Sequence, residues 1–327
     1  MASRSPDLVS VLEAAYAVDR QDDEWLQELI DAIRPSLDVG LGIAGYLYDT
    51  NDRPFKIRHF TMKDCPIDSK GLAVLTDESN DEYVRGSWIA RSAMMASETP
   101  GFAAQRSVRE VLRPAGIEDI MVVNAIDPIG VGCWIGAPTG DRGALVGAER
   151  ERWNRVATHV RSALRLRLRL SAPERAKDAS VEAVLTPKGR IRHLESAAEP
   201  HRAALQDAVV GIGRARSKLR GAPDEALPSW KALVRARWTL VDDFQRDGSR
   251  YVLARVNAIE TTPIGRLSTR ERQVVACLSM GFTNKEIAFE LGLSASTVRV
   301  HVANACAKAS VATREELVEA YRRNALR

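Results

Sequence analysis

Near the carboxyl end of the 327-residue chain, side chains able to read a base edge recur on one side of a single helical repeat: Arg299, Val300, Ala303 and Asn304. A guanidinium can donate in bidentate fashion to guanine O6 and N7, a valine can touch a thymine methyl, and an asparagine can pair with adenine. Ala303 presents a small surface on the same side, with Ala307 one turn on. Thr283, Lys285, Ser296, Thr297 and Lys308 suit phosphate oxygens, as do the free amides at the amino end of each helix. These groups position a duplex; they do not specify its sequence. The chemistry is binding without bond-making, so no catalytic residue and no cofactor is expected. His301 has no second His, Cys or Asp at ligand spacing, and no metal site is expected.

The elements that must carry these residues are written in the local punctuation. Ser268-Thr269-Arg270-Glu271 is a capping box, in which a hydroxyl accepts from the amide three residues on and the glutamate reaches back. The helix it opens runs through Val274, Val275 and Leu278 to Gly281, whose tolerance of a left-handed backbone suits a helix end. Thr283-Asn284-Lys285-Glu286 opens a second helix that turns Ile287, Ala288 and Leu291 inward and stops at Gly292. Ser294 caps a third, in which Val298, Val302, Ala305 and Ala309 make a buried stripe opposite the reading side. Thr313-Arg314-Glu315-Glu316 caps a fourth, carrying Leu317, Val318 and Tyr321. The second and third form a helix-turn-helix, whose second member can lie in the major groove.

The blocks Leu267-Ser268-Thr269-Arg270-Glu271, Gly281-Phe282-Thr283-Asn284-Lys285-Glu286-Ile287-Ala288, Leu293-Ser294, Thr297-Val298-Arg299-Val300-His301-Val302 and Lys308 resemble the LuxR-type helix-turn-helix module. The resemblance implies a four-helix domain that binds double-stranded DNA as a homodimer on two-fold operators. It implies a dimer contact in the last helix, here Leu317, Val318 and Tyr321, and RNA polymerase is a further partner of such a regulator. Ala309 stands where the family usually has a larger aliphatic residue, and Ala303 where a longer polar one is common.

Charge agrees with that placement without establishing it. Residues 1–80 carry 8 basic and 15 acidic side chains, whereas residues 265–327 carry 10 and 6, so the basic excess lies at the rear. A content of 45% hydrophobic and 28% charged residues is that of folded soluble chains and excludes a disordered one. No apolar run approaches the roughly 18 residues of a membrane span, and residues 1–10 lack a secretory start, so a cytoplasmic chain is expected. Cys65, Cys133, Cys277 and Cys306 form no CxxC pair and are expected as reduced thiols.

Upstream, residues 8–33 read as two helices broken near Asp22-Asp23. Residues 42–48 and 55–61 read as strands about an Asn51-Asp52 turn, and 120–125 and 131–136 as strands about Asp127-Pro128-Ile129-Gly130. Helices are expected over 81–95, 107–112 and from Glu149 onward. This order resembles a GAF-type sensor over residues 1–170, which implies an antiparallel sheet with helices behind it and a ligand pocket in front. Arg165, Arg167 and Arg169 alternate with leucines and are expected on a solvated signalling or dimer helix. After a linker at 171–180, strands at 181–185, 190–194, 238–244 and 251–256 surround a helical middle, with Asp247-Gly248 as a hairpin turn. They resemble a reduced PAS-like domain over 181–260, followed by a hinge at 261–266 and the helix-turn-helix domain at 267–327.

The expected architecture is therefore multidomain α+β: two antiparallel-sheet sensor-like domains, GAF-like and PAS-like, followed by an all-α four-helix domain. No GxxxxGK[ST] phosphate loop is present. The function expected is a transcriptional regulator whose front domains, through an unknown small-molecule effector, modulate dimerisation or DNA binding. The alternative is a regulator whose front domains bind a protein partner and no small molecule.

Overall fold

The computed structural model describes residues 7–50, 57–77, 92–128, 130–171, 179–244, 249–259, 261 and 267–325. They fall into two units, Met1–Leu164 with Gly221–Pro223, and Arg165–Arg220 with Asp224–Arg327.

In the first unit, α1 (Leu8–Ala15) opens at Asp7, whose carboxylate accepts the Ser10 amide at 3.3 Å. α2 (Asp22–Leu37) begins with Asp22, Asp23 and Glu24, where the positive end of the helix dipole favours carboxylates. The Trp25 indole donates to the Ala15 carbonyl at 2.8 Å and pins one helix to the other. Strands β1 (Ile43–Asp49), β2 (Ile57–Lys63), β3 (Ala93–Met95), β4 (Asp119–Ile126) and β5 (Val131–Thr139) form one antiparallel sheet in the order β2-β1-β5-β4-β3. α3 (Ser69–Asp77) lies between β2 and β3 in the chain. The β4–β5 turn closes through Gly130, whose φ of 96° a side chain would resist and whose amide donates to the Asp127 carbonyl at 2.9 Å.

One face of the sheet packs on α2: a Cβ at Gly45 would sit 2.7 Å from Ile30 Cδ1, so any larger residue there would have to displace the buried Ile30 side chain. On the other face Tyr46 stacks on Trp134 across β1 and β5, with ring centroids 4.9 Å apart. α4 (Gly147–Ser171) belongs to this unit up to Leu164; it buries Trp153, Val156 and Val160, and Arg161 Nε donates to the Ile126 carbonyl at 2.8 Å.

In the second unit, β6 (Val181–Leu185), β7 (Ile191–Leu194), β8 (Trp238–Phe244) and β9 (Arg250–Val256) form an antiparallel sheet in the order β7-β6-β9-β8. α5 (Arg202–Arg216) and α6 (Pro223–Ser229) fill the interval between β7 and β8. The Trp238 indole donates to Glu182 Oε2 at 2.8 Å. The Asn257 amide donates to Thr239 Oγ1 at 2.7 Å, with both side chains fully buried. Four further helices, α7 (Thr269–Ser279), α8 (Asn284–Leu291), α9 (Ala295–Ala309) and α10 (Arg314–Ala325), complete the unit.

Two expectations are corrected. The helix expected over 81–95 lies mostly on residues outside the described set, and its last three residues are strand β3, paired as Met94 with Val122. Three apolar residues are too few for a helix, and they satisfy the backbone edge that β4 would otherwise expose. The arginines expected in solvent are buried: Arg165, Arg167 and Arg169 are 2%, 5% and 7% exposed. The segment is helical as expected, but a period-two run on a helix spreads its leucines and arginines around the axis, and here the arginines are buried while Leu168 and Leu170 are half-buried.

The expected turns at Asn51-Asp52 and Asp247-Gly248 lie outside the described residues, as do most of the linker at 171–180 and of the hinge at 261–266. The segment 107–112 contains a wide helical turn, Val108–Leu112. Among the described residues no helix is long and apolar enough to cross a membrane.

Candidate nucleic-acid interface

The interface is assembled from caps inward. Ser268 Oγ accepts the Glu271 amide at 3.3 Å while Glu271 Oε2 accepts the Ser268 amide at 2.7 Å, starting α7. Thr283 and Glu286 repeat the exchange at 3.3 and 2.7 Å at the start of α8. Gly292 ends α8 with φ 63°, in the left-handed region where a Cβ is penalised. Ser294 Oγ then accepts the Thr297 amide at 3.0 Å and lies 2.7 Å from the hydroxyls of both Ser296 and Thr297. Thr313 Oγ1 accepts the Glu316 amide at 3.1 Å at the start of α10. All four expected caps are formed.

Val274, Val275, Leu278, Phe282, Ile287, Leu291, Val298, Ala305, Leu317 and Tyr321 belong to one buried cluster. α9 contributes Val298 and Ala305, both fully buried, and half-buried Val302 and Ala309 lean on the same cluster. Its opposite side is open. Ser296, Arg299, Val300, Ala303, Asn304, Ala307 and Lys308 are exposed, and Val300 at 57% is a large apolar side chain left in solvent. Thr297 is half-buried, and Thr283 and Lys285 are exposed at the start of α8. The open side of α9 therefore offers a guanidinium, an amide, a hydroxyl and a methyl surface, the set that base edges in a major groove accept.

Three expected residues sit differently from the rest. Lys308 Nζ is 2.8 Å from both carboxylate oxygens of Glu271, whose side chain is 4% exposed, so this lysine joins the end of α9 to the start of α7. Leu317 and Tyr321, 1% and 6% exposed, point into their own four-helix core; Val318 is half-buried beside it. α10 is tied down by Arg314 Nη2 on the Phe282 carbonyl and Arg322 Nη2 on the Ser279 carbonyl, each at 2.7 Å.

Two carboxylates with structural work to do were not singled out from the sequence. Glu271 is visible there only as a capping residue, and its link to Lys308 spans 37 positions. Glu290, fully buried, accepts from Arg165 at 3.0 Å across 125 positions. The available signal is an acidic residue beside the apolar side of α8, which requires a cation once it is buried.

Burial pushes the Glu271 carboxyl up, but hydrogen bonds from Lys308 and from Ser268 outweigh it and hold the group below the usual glutamate value. Burial raises Cys133 to about 12, and Cys277 is fully buried, so both are inert small hydrophobes. Among the described residues no group of three or more His, Cys, Asp or Glu is placed to hold a metal ion.

Residues 266–321 match the protein family described as bacterial regulatory proteins, luxR family. The chain is 51% identical over 55 residues to the transcriptional regulatory protein FixJ of Azorhizobium caulinodans, covering 17% of this chain and 26% of that protein. It is 32% identical over 115 residues to the HTH-type transcriptional activator RamA of Corynebacterium glutamicum, covering 35% of this chain and 41% of that protein. The chain thus aligns with about a quarter to two fifths of the length of these relatives. A solved structure of SdiA in complex with octanoyl-rac-glycerol aligns over 96% of this chain and 92% of that one, at 10% identity and a TM-score of 0.31, a score that supports no argument about either unit.

Proposed function

We propose, taking the carboxy-terminal LuxR-type helix-turn-helix domain as premise, that the chain is a sequence-specific DNA-binding transcriptional regulator. The observation that carries this reading is the two-sidedness of α9. Val298 and Ala305 are fully buried, while Ser296, Arg299, Val300, Ala303 and Asn304 are exposed on the other side. In this reading Arg299, Val300, Ala303 and Asn304 read bases. Thr283, Lys285, Ser296 and Thr297 hold phosphates, and Lys308 holds the reading helix to α7 while its remaining N–H is free to reach a phosphate. Dimerisation uses the outer side of α10 around Val318, because Leu317 and Tyr321 are spent on the core.

The front of the chain is assigned a sensory role. The five-stranded antiparallel sheet with α1, α2 and α4, and the four-stranded sheet with α5 and α6, are consistent with GAF-like and PAS-like domains. An effector acts there only through a difference in affinity between binding-competent and binding-incompetent arrangements. Native mass spectrometry of the cell-purified protein distinguishes a small-molecule effector, retained on the chain, from a protein effector, which leaves it empty.

The regulator reading is tested by genome-wide DNA capture with wild type and Arg299→Ala. The wild type is expected to capture a defined set of sites, and the variant to lose discrimination by about 1–3 kcal/mol at the guanine positions. Capture of no preferred sites by the wild type contradicts the reading.

A further inference from the structure

Within the second unit the helix-turn-helix does not hang from a swivel. Arg165 Nη2 donates to Glu290 Oε1 at 3.0 Å, and the two side chains are 3% and 0% exposed. One turn on, Arg169 Nη2 donates to the Ala258 carbonyl at 2.6 Å, in the strap that follows β9. In that strap Asn257 is locked to Thr239, and Ile259 joins the buried cluster of the four-helix domain. From the loop before β8, Leu233 and Ala236 enter the same cluster. Arg235 and Ala236 both hold positive φ, 52° and 54°, a strain that persists only where the surroundings fix it. The Arg235 carbonyl receives Arg270 Nη2 at 3.4 Å, and a Cβ built at Gly292, in the turn of the helix-turn-helix, would lie 3.5 Å from the Arg235 amide nitrogen.

A desolvated ion pair is a poor source of net stability, since two apolar side chains of similar volume often serve as well or better. What it supplies over an apolar contact is direction. An N–H···O bond weakens steeply away from its own line, and Glu290 sits on α8, immediately before the turn that sets the course of α9. The whole attachment leaves the reading side of α9 open.

We propose that Arg165 and Glu290 are positioning residues for DNA recognition: their buried pair fixes the direction of the helix-turn-helix against the second sheet, and so fixes the spacing of operator half-sites that a dimer accepts. This rests on the regulator reading. A two-fold dimer with rigidly carried recognition helices demands half-sites about 10–10.5 base pairs apart or multiples of that, whereas loosely carried ones tolerate other separations.

The test uses the full chain and the duplex that the wild type selects from a random library. Affinity is measured for that duplex, for the same duplex with about 5 base pairs inserted between its halves, and for a single half-site. The wild type is expected to lose about tenfold or more on the insertion. The paired replacement Arg165→Met with Glu290→Met, which removes both charges of the pair together, is expected to lose about twofold or less while keeping wild-type affinity for the single half-site. A merely structural role lowers single half-site affinity and helical circular dichroism together, and that outcome overturns the proposal. So does a paired variant that keeps the wild-type spacing preference, or a wild type indifferent to the insertion. Failure of both proteins to bind any duplex at low salt removes the regulator reading and the proposal with it, whereas DNA binding with unchanged spacing removes the proposal alone.

Discussion

Lys308, in the last turn of α9, places its ammonium 2.8 Å from both oxygens of Glu271, and Glu271 is the residue whose other duty is to cap the first helix of the same domain. One carboxylate thus closes the start of α7 and anchors the end of α9. Lys308→Met leaves that carboxylate buried with only its capping partner. Because the lysine is 42% exposed, the cost is discounted for solvent screening to about 1–2 kcal/mol. Urea unfolding followed by far-ultraviolet circular dichroism measures it, and an unchanged midpoint contradicts the structural role given to Lys308.

The same carboxylate makes the domain acid-sensitive. A folded-state value held below the usual glutamate range means the contribution is fully present above the unfolded value and is lost as pH falls through the folded one. Wild-type stability is therefore expected to decline on acidification below the ordinary glutamate range. Glu271→Gln, already lacking the charge, is expected to start lower at neutral pH and decline less over the same interval. Parallel pH profiles of the two proteins contradict the assignment.

Ser294→Ala removes the hydroxyl that accepts the Thr297 amide at 3.0 Å and organises the Ser296 and Thr297 hydroxyls. An N-cap loss of about 1 kcal/mol is expected, with faster amide exchange concentrated in the first turn of α9. Exchange that rises uniformly over α7–α10 instead points to global loosening.

In the first unit, Gly132 faces the fully buried Tyr48 ring, and an added Cβ would overlap ring carbon and hydroxyl alike. Tyr48 cannot turn away cheaply, because its hydroxyl donates to Asn124 Oδ1 at 2.8 Å. Gly132→Ala is expected to lower stability by about 1–3 kcal/mol through overpacking. Thermal unfolding measures the loss, and an unchanged midpoint contradicts the packing.

The four-helix domain was legible because its instructions are local. A cap is a contact over three residues, as at Ser268, Thr283, Ser294 and Thr313, and Gly292 announces the left-handed stop it makes. The β4–β5 hairpin was legible for the same reason. What was not legible depends on partners far along the chain. Nothing near Arg165 indicates that its counter-ion is Glu290, so an arginine run that sequence places in solvent is instead enclosed. Likewise the spacing that puts Leu317 and Tyr321 on one side of α10 cannot say whether that side faces a second copy or its own core; packing against α7 decides it. Strand β3 escaped because three residues carry no period.

The most direct measurement is guanine methylation interference with the full-length chain on its selected duplex, comparing wild type with Arg299→Ala. Methylation at N7 blocks the major-groove edge that a bidentate guanidinium needs. The wild type is expected to be excluded by methylation of a guanine in each half-site, and the variant to be indifferent to that modification. Equal interference in both proteins, or none in either, contradicts the assignment of the open side of α9 as the surface that reads DNA.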